Sequence, residues 1–242
     1  MTVPITTIES PSVTSVAVYC GSSTGKHPAY ALAAQSLGTA LAKADRRLIY
    51  GGGTQGLMGA VARSLLASGG KATGITLQAF MEHGGEGEKA PEKSAQVAVP
   101  NGFLAPGKEV VVESLHARKF AMASRSCGFI ALPGGFGTYD EVFESTTWTQ
   151  IGLQNKLIVN VRGFYESLKQ QIRTAIEDGF VESYNESLVV FVDGPEDKEE
   201  HETFDWGDAA ISALDRWHEK RSKLPRPAFD WDSGKTATVR TT

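Results

Sequence analysis

A glycine-rich segment in the middle of the chain has the composition and spacing of an anion-binding turn. The sequence PGGFGTYDE, residues 133–141, follows the apolar run FIAL. Three glycines in four positions let the backbone turn tightly and approach a ligand closely. If a helix begins here, its first N–H groups and the positive end of its dipole can hold a phosphate without a lysine. The pattern predicts a phosphate site formed by Gly134, Gly135, Gly137 and the hydroxyl of Thr138.

Thr138 and Glu141 also have a purely structural interpretation. Their spacing, Thr-x-x-Glu, is that of a capping box, in which the threonine is the N-cap and the glutamate bonds back to its amide. Such a cap does not require Gly-Gly-x-Gly in front of it. The sequence therefore leaves two possibilities open, a capping pair and a phosphate loop with a carboxylate one helical turn beyond it.

A second glycine-rich segment, GGGTQGLMG at residues 51–59, also joins an apolar run to a helix-like run. It offers Gly53 as a candidate ligand contact, and tight packing of a helix on a strand is the alternative. The segment lacks the Gly-Lys-Ser/Thr ending of a P-loop, so ATP hydrolysis is not indicated. Its spacing is not a clean GxGxxG and no acidic residue ends the next strand, which argues against a dinucleotide site.

Two shorter segments complete the set of candidates. YCGSS, residues 19–23, ends an apolar run, and Gly21 and Ser22 there are candidates for holding a ribose or a phosphate, with a plain turn as the alternative. LHARK, residues 115–119, places Arg118 and Lys119 in a first helical turn. Because two cations at that point oppose the helix dipole, we expect them to face an anion or a carboxylate. A solvated basic face is the alternative.

All four segments lie where β-like runs change into helix-like runs. Strands are predicted at 13–20, 47–52, 71–76, 109–114, 128–133, 156–161 and 188–192, and helices at 27–44, 56–68, 115–126, 139–151, 165–178 and 207–219. Such alternation indicates right-handed βαβ crossovers and an α/β fold, a Rossmann-like three-layer sandwich with a mostly parallel sheet of about seven strands. Ligands bind outside the C-terminal ends of such strands, which is where the four segments fall.

The length of 242 residues fits one domain better than two. We expect a single nucleotide-binding catalytic domain over 13–219, a disordered N-terminus at 1–12 and a flexible tail at 220–242. Residues 82–108 are rich in Gly, Pro, Glu and Lys and interrupt the alternation. A connection of this length predicts a flap-like insertion near the strand ends, with a disordered surface insertion as the alternative.

Charge and cysteine content limit the possible partners. The net charge of −4 argues against a broad nucleic-acid or anionic-membrane surface. Cys20 and Cys127 are expected to be buried free thiols in a reducing compartment, and no Cys/His cluster suggests a metal. Residues 1–12 do not form a secretory signal, and no apolar run approaches the roughly 20 residues of a membrane span. We therefore expect a cytoplasmic protein that binds neither nucleic acid nor membrane.

Together the four segments resemble the LOG family, the cytokinin riboside 5′-monophosphate phosphoribohydrolases, formerly labelled lysine decarboxylases. The similarity covers about residues 14–192 and rests on PGGxGTxxE, GGGxxGLMG, HxRK and WTQIG. It implies hydrolysis of N6-modified adenosine 5′-monophosphates, and of AMP itself, to free base and ribose 5-phosphate. The resemblance implies no cofactor, a catalytic pair formed by Arg118 and Glu141, and nucleotide contacts at Lys119, Gly134, Gly135, Gly137 and Thr138.

The chain departs from the family pattern at several positions. Leu115 stands where the family usually has Met, Gln154 stands where it commonly has His, and the 82–108 segment is longer than usual. The family has a further nucleotide-contacting glutamate, for which the candidates here are Glu82 and Glu86. These departures leave the expected reaction unchanged and concern the selectivity for the base.

Two other functions would use the same loops. A nucleotide carrier or sensor would bind without turnover and would not need Arg118 and Glu141 together. A pyridoxal phosphate decarboxylase would need a Schiff-base lysine, and Lys119 is the only lysine near the proposed site. In the hydrolase, Glu141 would stabilise positive charge on the sugar and Arg118 would orient Glu141 and the substrate. Apolar residues around the helix predicted at 139–151, with the family resemblance, predict a homodimer through that helix. Burial of this helix against a neighbouring helix of the same chain is the alternative.

Overall fold

A computed structural model of the chain describes residues 14–79, 110–150 and 156–222. Within them, seven strands form one sheet: β1 (Ser15–Tyr19), β2 (Arg47–Tyr50), β3 (Ala72–Leu77), β4 (Val110–Val112), β5 (Gly128–Ala131), β6 (Lys156–Asn160) and β7 (Val190–Asp193). Their order is β4-β3-β2-β1-β5-β6-β7, and each neighbouring pair is parallel. The predicted Rossmann-like α/β fold is confirmed.

The helices of the described residues cover both faces of the sheet. They are α1 (Pro28–Lys43), α2 (Gly56–Ala67), α3 (Leu115–Ser124), α4 (Phe136–Gln150), α5 (Glu166–Glu177) and α6 (Trp206–Ser222), with short 3-10 helices at Val161–Gly163, Ser183–Leu188 and Glu200–Glu202. Buried residues of α1, α2 and α6 form one core with the sheet. Buried residues of α3, and separately of α4, form cores on the other face. The result is the predicted three-layer sandwich.

The central strand β1 shows why the sheet is apolar throughout. Val16 and Val18 point into the core under α1 and α2, whereas Ala17 and Tyr19 point into the core under α3. All five residues of the strand are buried, as expected for a parallel strand covered on both faces. On either side of β1 the strand order runs in opposite directions, so its C-terminal end opens into the crevice where such sheets bind ligands.

The start of α4 differs from the prediction in a way that matters for the site. The helix begins at Phe136, three residues before the predicted start at 139. The amide of Tyr139 donates to the carbonyl oxygen of Gly135 at 3.0 Å, which places Gly135 at the N-cap and Thr138 inside the first turn. The capping-box interpretation is therefore wrong, because Thr138 is not the N-cap residue.

The ends of the chain and the long connection are only partly described. Helix α6 runs to Ser222, so the predicted tail at 220–242 begins with helical residues. The predicted N-terminal segment at 1–12 and the insertion at 82–108, which includes the candidates Glu82 and Glu86, lie outside the described residues. A single catalytic domain over 13–219 stays a prediction.

Helices α1 and α2 approach each other closely at Gly38, in the middle of α1. A Cβ atom on Gly38 would lie 2.3 Å from the carbonyl oxygen of Val61 and 2.9 Å from the amide nitrogen of Leu65. Both atoms belong to the backbone of α2 and cannot move aside as a side chain can. The contact therefore depends on the absence of a side chain at Gly38.

We expect Gly38→Ala to destabilise the protein although alanine is the better helix former. The propensity gain is about 1 kcal/mol, whereas the forced separation of two packed helices costs roughly 1–3 kcal/mol. Thermal denaturation should show a Tm lower by roughly 2–8 °C. The matched control is Gly137→Ala in the first turn of α4, where a Cβ has no atom within 4 Å. Its Tm should stay at or above that of the original protein, and an equal drop in both variants would contradict the packing argument.

Candidate active site

The C-terminal ends of the central strands enclose a cavity of about 380 Å³. Its walls come from the residues after β1 and β2 and from the first turns of α2, α3 and α4. These are the four segments singled out in the sequence. The fold thus brings together motifs that are far apart in the chain.

Most of the predicted site residues line this cavity. Those in its wall are Gly21, Ser22, Arg118, Lys119, Gly135, Gly137, Thr138 and Glu141. Gly134 is not in the wall, and a Cβ on it would lie 2.1 Å from Oγ1 of Thr138 and 2.8 Å from the amide nitrogen of Gly21. Gly53 is not in the wall either, and its place is taken by Gly51. Gly134 therefore allows the loops after β1 and β5 to approach each other.

The N-terminus of α4 is open towards the cavity. Gly135, Phe136, Gly137 and Thr138 all line it, and within the described residues no hydrogen-bond acceptor faces the amides of Phe136, Gly137 and Thr138. The first N–H groups of a helix have no partner inside the helix and attract anions. Thr138 is buried. This helix end has the properties of a phosphate site.

The N-terminus of α2 differs, because the protein itself occupies it. The amides of Leu57 and Met58 donate to the carbonyl oxygen of Gly21 at 3.1 and 3.3 Å. Gly56 has φ +57°, and a Cβ on it would lie 2.2 Å from the carbonyl carbon of Ser22. For this second glycine-rich loop the geometry favours the alternative interpretation, close backbone packing. The amide of Gly21 donates to Pro133 at 3.0 Å, which links the loops after β1 and β5.

Arg118 is buried and bonds to the ends of two strands. Its Nε donates to the carbonyl oxygen of Ile75 and its Nη2 to that of Gly51, each at 2.9 Å. Only 5% of the residue is exposed. The guanidinium is therefore a fixed part of the cavity wall, and the solvated basic face considered for this segment does not apply to it.

Lys119 points towards helix α4. Its Nζ lies 3.0 Å from Oδ2 of Asp140 and 2.9 Å from Oε2 of Glu144. Partial burial of the ammonium would lower its pKa, but contacts with Glu144 and then Asp140 outweigh burial and raise the pKa above its ordinary value. The expectation that these cations face an anion or a carboxylate is met at Lys119 by two carboxylates.

Glu141 and Tyr19 both line the cavity. Glu141 follows the open first turn of α4 by one helical turn. Tyr19 is buried at the end of β1 and its ring stacks on Phe129 at 5.2 Å. Burial, then the negative charges of Glu141 and Glu144, raise the pKa of the Tyr19 phenol well above its usual value, with Arg118 opposing them. The phenol therefore stays protonated near two carboxylates.

The wall also contains Tyr19, Gly51 and Asp140, which the sequence motifs do not single out as site residues. Tyr19 stands in the segment YCGSS without being a candidate, Gly53 rather than Gly51 is the candidate in the second glycine-rich loop, and Asp140 lies in the helix predicted at 139–151. Their only signal was position, since Tyr19 and Gly51 each stand next to the C-terminal end of a central strand. Side-chain type alone did not distinguish them from core or turn residues.

The chemistry of this wall is that of an acid–base site for an anionic ligand. It combines an open helix N-terminus, a fixed guanidinium and a carboxylate, with the exposed apolar residues Leu115 and Phe136 at its edge. Among residues 14–79, 110–150 and 156–222, no cluster of His, Cys, Asp or Glu is arranged to hold a metal ion. No helix in these ranges has the length and apolar character needed to cross a bilayer.

The fold is shared with solved structures of low sequence similarity. A molybdenum cofactor carrier protein from Chlamydomonas reinhardtii superposes with a TM-score of 0.55 at 17% identity, over 87% of this chain and 99% of that one. A molybdenum cofactor binding protein from Rippkaea orientalis superposes with a TM-score of 0.53 at 16% identity, over 87% and 98% of the two chains. At such identities the likeness concerns the fold alone.

Sequence relatives are closer. A cytokinin riboside 5′-monophosphate phosphoribohydrolase of Arabidopsis thaliana is 35% identical over 217 residues, 87% of either chain. An enzyme of the same name from Rhodococcoides fascians is 35% identical over 193 residues, 77% of this chain and 89% of that one. Residues 58–201 match the family described as "Possible lysine decarboxylase". The open helix end, the buried arginine and the glutamate thus stand in a chain that belongs to the possible lysine decarboxylase family, in its LOG group.

Proposed function

We propose that the protein hydrolyses the N-glycosidic bond of adenosine 5′-monophosphates, N6-modified ones and AMP itself, and releases free base and ribose 5-phosphate. One observation carries this proposal: the open N-terminus of α4 and the carboxylate of Glu141 face the same cavity. The names of the sequence relatives, phosphoribohydrolases of cytokinin riboside monophosphates, support the same reaction.

We further propose that the protein acts in the cytoplasm and, with its net charge of −4, does not bind nucleic acid.

The dimensions of α4 suit a nucleoside monophosphate. A 5′-phosphate at the amides of residues 135–138 is anchored at the first turn of the helix. Glu141 lies four residues beyond Gly137, about 6 Å along the helix axis. That distance is on the scale of a ribose phosphate, so the carboxylate can reach the side of the sugar that carries the base. In this arrangement Gly135, Gly137 and Thr138 hold the phosphate, and Gly21, Ser22 and Lys119 contact the nucleotide. Gly134 supports the site by allowing the loops after β1 and β5 to pack together.

The reaction exchanges one bond at C1′ for another. As the bond between C1′ and the base nitrogen breaks, its electron pair leaves with the base, and positive charge develops on the sugar. The carboxylate of Glu141 stabilises that charge and accepts a proton from water as the water oxygen bonds to C1′. The proton then passes to the departing base. The products are the neutral base and ribose 5-phosphate, and nothing is oxidised or reduced.

Arg118 fits a positioning role in this reaction. A guanidinium does not release its proton at physiological pH, so it is a poor general acid. Its hydrogen bonds to the carbonyl oxygens of Ile75 and Gly51 fix its place in the cavity wall. From there its positive charge can orient Glu141 and the substrate while the reaction proceeds.

The state of Lys119 speaks against the decarboxylase that the family description mentions. A Schiff-base lysine must reach its neutral form to attack a carbonyl. Lys119 is the lysine that lines the described cavity, and its pKa is raised by Glu144 and Asp140 rather than lowered. Its ammonium is therefore held in the charged form. A nucleotide carrier, the other alternative, gives no reason for Glu141 to line the same cavity as a fixed guanidinium.

We expect Glu141→Gln to lose activity by roughly 100- to 10,000-fold, because the amide keeps the size but neither stabilises positive charge nor accepts a proton. Release of adenine from AMP, followed by chromatography, measures the loss. The comparison variant is Glu144→Gln on the same helix, which contacts Lys119 and does not line the cavity. The activity of Glu144→Gln should fall by less than about tenfold. Activity of Glu141→Gln within a few-fold of the original would show that the mechanism is wrong.

The phosphate site predicts a strong preference for AMP over adenosine. An empty anion site forfeits several charge-assisted hydrogen bonds of about 1.5–3 kcal/mol each, so kcat/KM for adenosine should be lower by roughly 1000-fold or more. Thr138→Val keeps the shape of the side chain and removes its hydroxyl. This variant should slow the cleavage of AMP and leave the residual cleavage of adenosine unchanged. Equal kcat/KM values for the two substrates would remove the case for the anion site.

We also propose that the protein is a homodimer with α4 at or near its interface. Phe136 and Phe143 lie two turns apart on this helix and are 91% and 54% exposed, whereas Val142, Ser145 and Thr149 face the interior. Large apolar groups on the solvent side of a helix are typical of an interface. The partner copy would cover them and close the edge of the cavity.

Light scattering at micromolar concentration should give twice the 25.9 kDa mass of one chain. Phe143→Asp should shift the protein towards the monomer, because an interface does not accommodate an unpaired buried charge. The matched control is Phe180→Asp, at a residue 85% exposed and outside α4, which should leave the mass unchanged. A mass near that of one chain for the original protein would contradict the dimer.

A further inference from the structure

We propose that Gly51 is a positioning residue for the reaction, and that glycine is needed there because the guanidinium of Arg118 fills the space of a side chain. The inference rests on the proposed function insofar as it concerns turnover. In this loop the sequence pattern had indicated Gly53, and not Gly51, as the candidate ligand contact.

The backbone at Gly51 does not itself require glycine. Positive φ angles in this loop occur at Gly52, with +80°, and at Gly56, with +57°, whereas Gly51 is not among the positive-φ residues. Its φ angle therefore gives no reason for glycine. The reason for glycine at this position must therefore be space rather than the turn.

That space is occupied by Arg118. A Cβ on Gly51 would lie 2.1 Å from Nη2 and 3.1 Å from Cζ of the arginine, and its third neighbour is Sδ of Met58 at 3.2 Å. The same Nη2 donates a 2.9 Å hydrogen bond to the carbonyl oxygen of Gly51. The guanidinium thus lies directly against the backbone of this residue.

The guanidinium has little freedom to move away. It is buried, and its Nε donates to the carbonyl oxygen of Ile75 on the neighbouring strand at 2.9 Å. A methyl group at position 51 must therefore displace the guanidinium or push the loop away from it. The first outcome moves a positive charge that contributes, with Glu141, to the electrostatics at Tyr19 in the cavity wall. The second outcome breaks the hydrogen bond between Gly51 and the guanidinium, which then loses one of the two contacts that hold it in place. Gly51 acts on the reaction through Arg118.

A double-mutant cycle of Gly51→Ala with Arg118→Lys tests this coupling. Lysine keeps the charge and the stem but lacks the two terminal nitrogens, one of which is the atom that the methyl would meet at 2.1 Å. In the original protein, Gly51→Ala should lower kcat for AMP by roughly 100-fold, with a smaller change in KM, and lower the Tm by roughly 4 °C or more. In the Arg118→Lys background, the same substitution should change neither kcat nor Tm further.

The outcomes separate the possible explanations. Equal losses of kcat and Tm from Gly51→Ala in both backgrounds would show that the methyl acts on something other than the guanidinium, and the proposal would be wrong. No loss in the original protein would also overturn it. If the single variant does not fold, a folded double variant supports the coupling, and an unfolded double variant beside a folded Arg118→Lys refutes it. Should Arg118→Lys not fold, Arg118→Met takes its place.

The Tm measurements of the double-mutant cycle do not depend on catalysis. If the original protein releases no base from AMP or from isopentenyladenosine monophosphate, the proposed function fails, and the coupling between Gly51 and Arg118 is still decided by the four Tm values. If base is released and the Tm values are additive, the function stands and the role of Gly51 falls.

Discussion

The cavity depends on one buried cation. A charged group taken out of water costs free energy unless its hydrogen bonds are replaced, and Arg118 replaces them with the carbonyl oxygens of Ile75 and Gly51. These bonds connect the first turn of α3 to the C-terminal ends of β2 and β3. The position of α3 then determines where Lys119, the next residue, can reach, and it reaches Asp140 and Glu144 on α4. Arg118 thereby connects α3 to the sheet, and Lys119, the next residue, connects α3 to α4.

The two glycine-rich loops show how similar sequences take different roles. Both follow a central strand and open a helix, but the amides at the start of α2 donate to Gly21, whereas those at the start of α4 face the cavity. The difference arises because the loop after β1 passes over α2 and bonds to the loop after β5. Gly21 takes part in both contacts, with its carbonyl oxygen on one side and its amide on the other. The N-terminus of α2 therefore supports the loop after β1, and the N-terminus of α4 is left for a ligand.

Much of the fold was accessible from the sequence for a simple physical reason. A strand covered on both faces must be apolar throughout, and β1 with its sequence SVAVY shows this. The start of α4 was placed three residues too late because Gly134, Gly135 and Gly137 read as an extended loop, although Gly137 is helical. The contacts of Lys119 with Asp140 and Glu144, and of Arg118 with Gly51, join residues far apart in the chain. No local pattern encodes such pairs, so the sequence indicates the cations and carboxylates but not their partners.

The strand order also has a consequence for how the protein folds. The anion end of the cavity requires β5 beside β1, a pairing that joins Val16 to Gly128, far along the chain. The first two strands and helices can meet early, because their contacts are local, whereas closing the long loop to β5 costs more chain entropy. A chain that has not yet docked β5 therefore has half of the cavity wall and no place for a phosphate. The nucleotide proposed as substrate would bind only chains in which β5 lies beside β1, and would therefore stabilise that state and not the partly folded one.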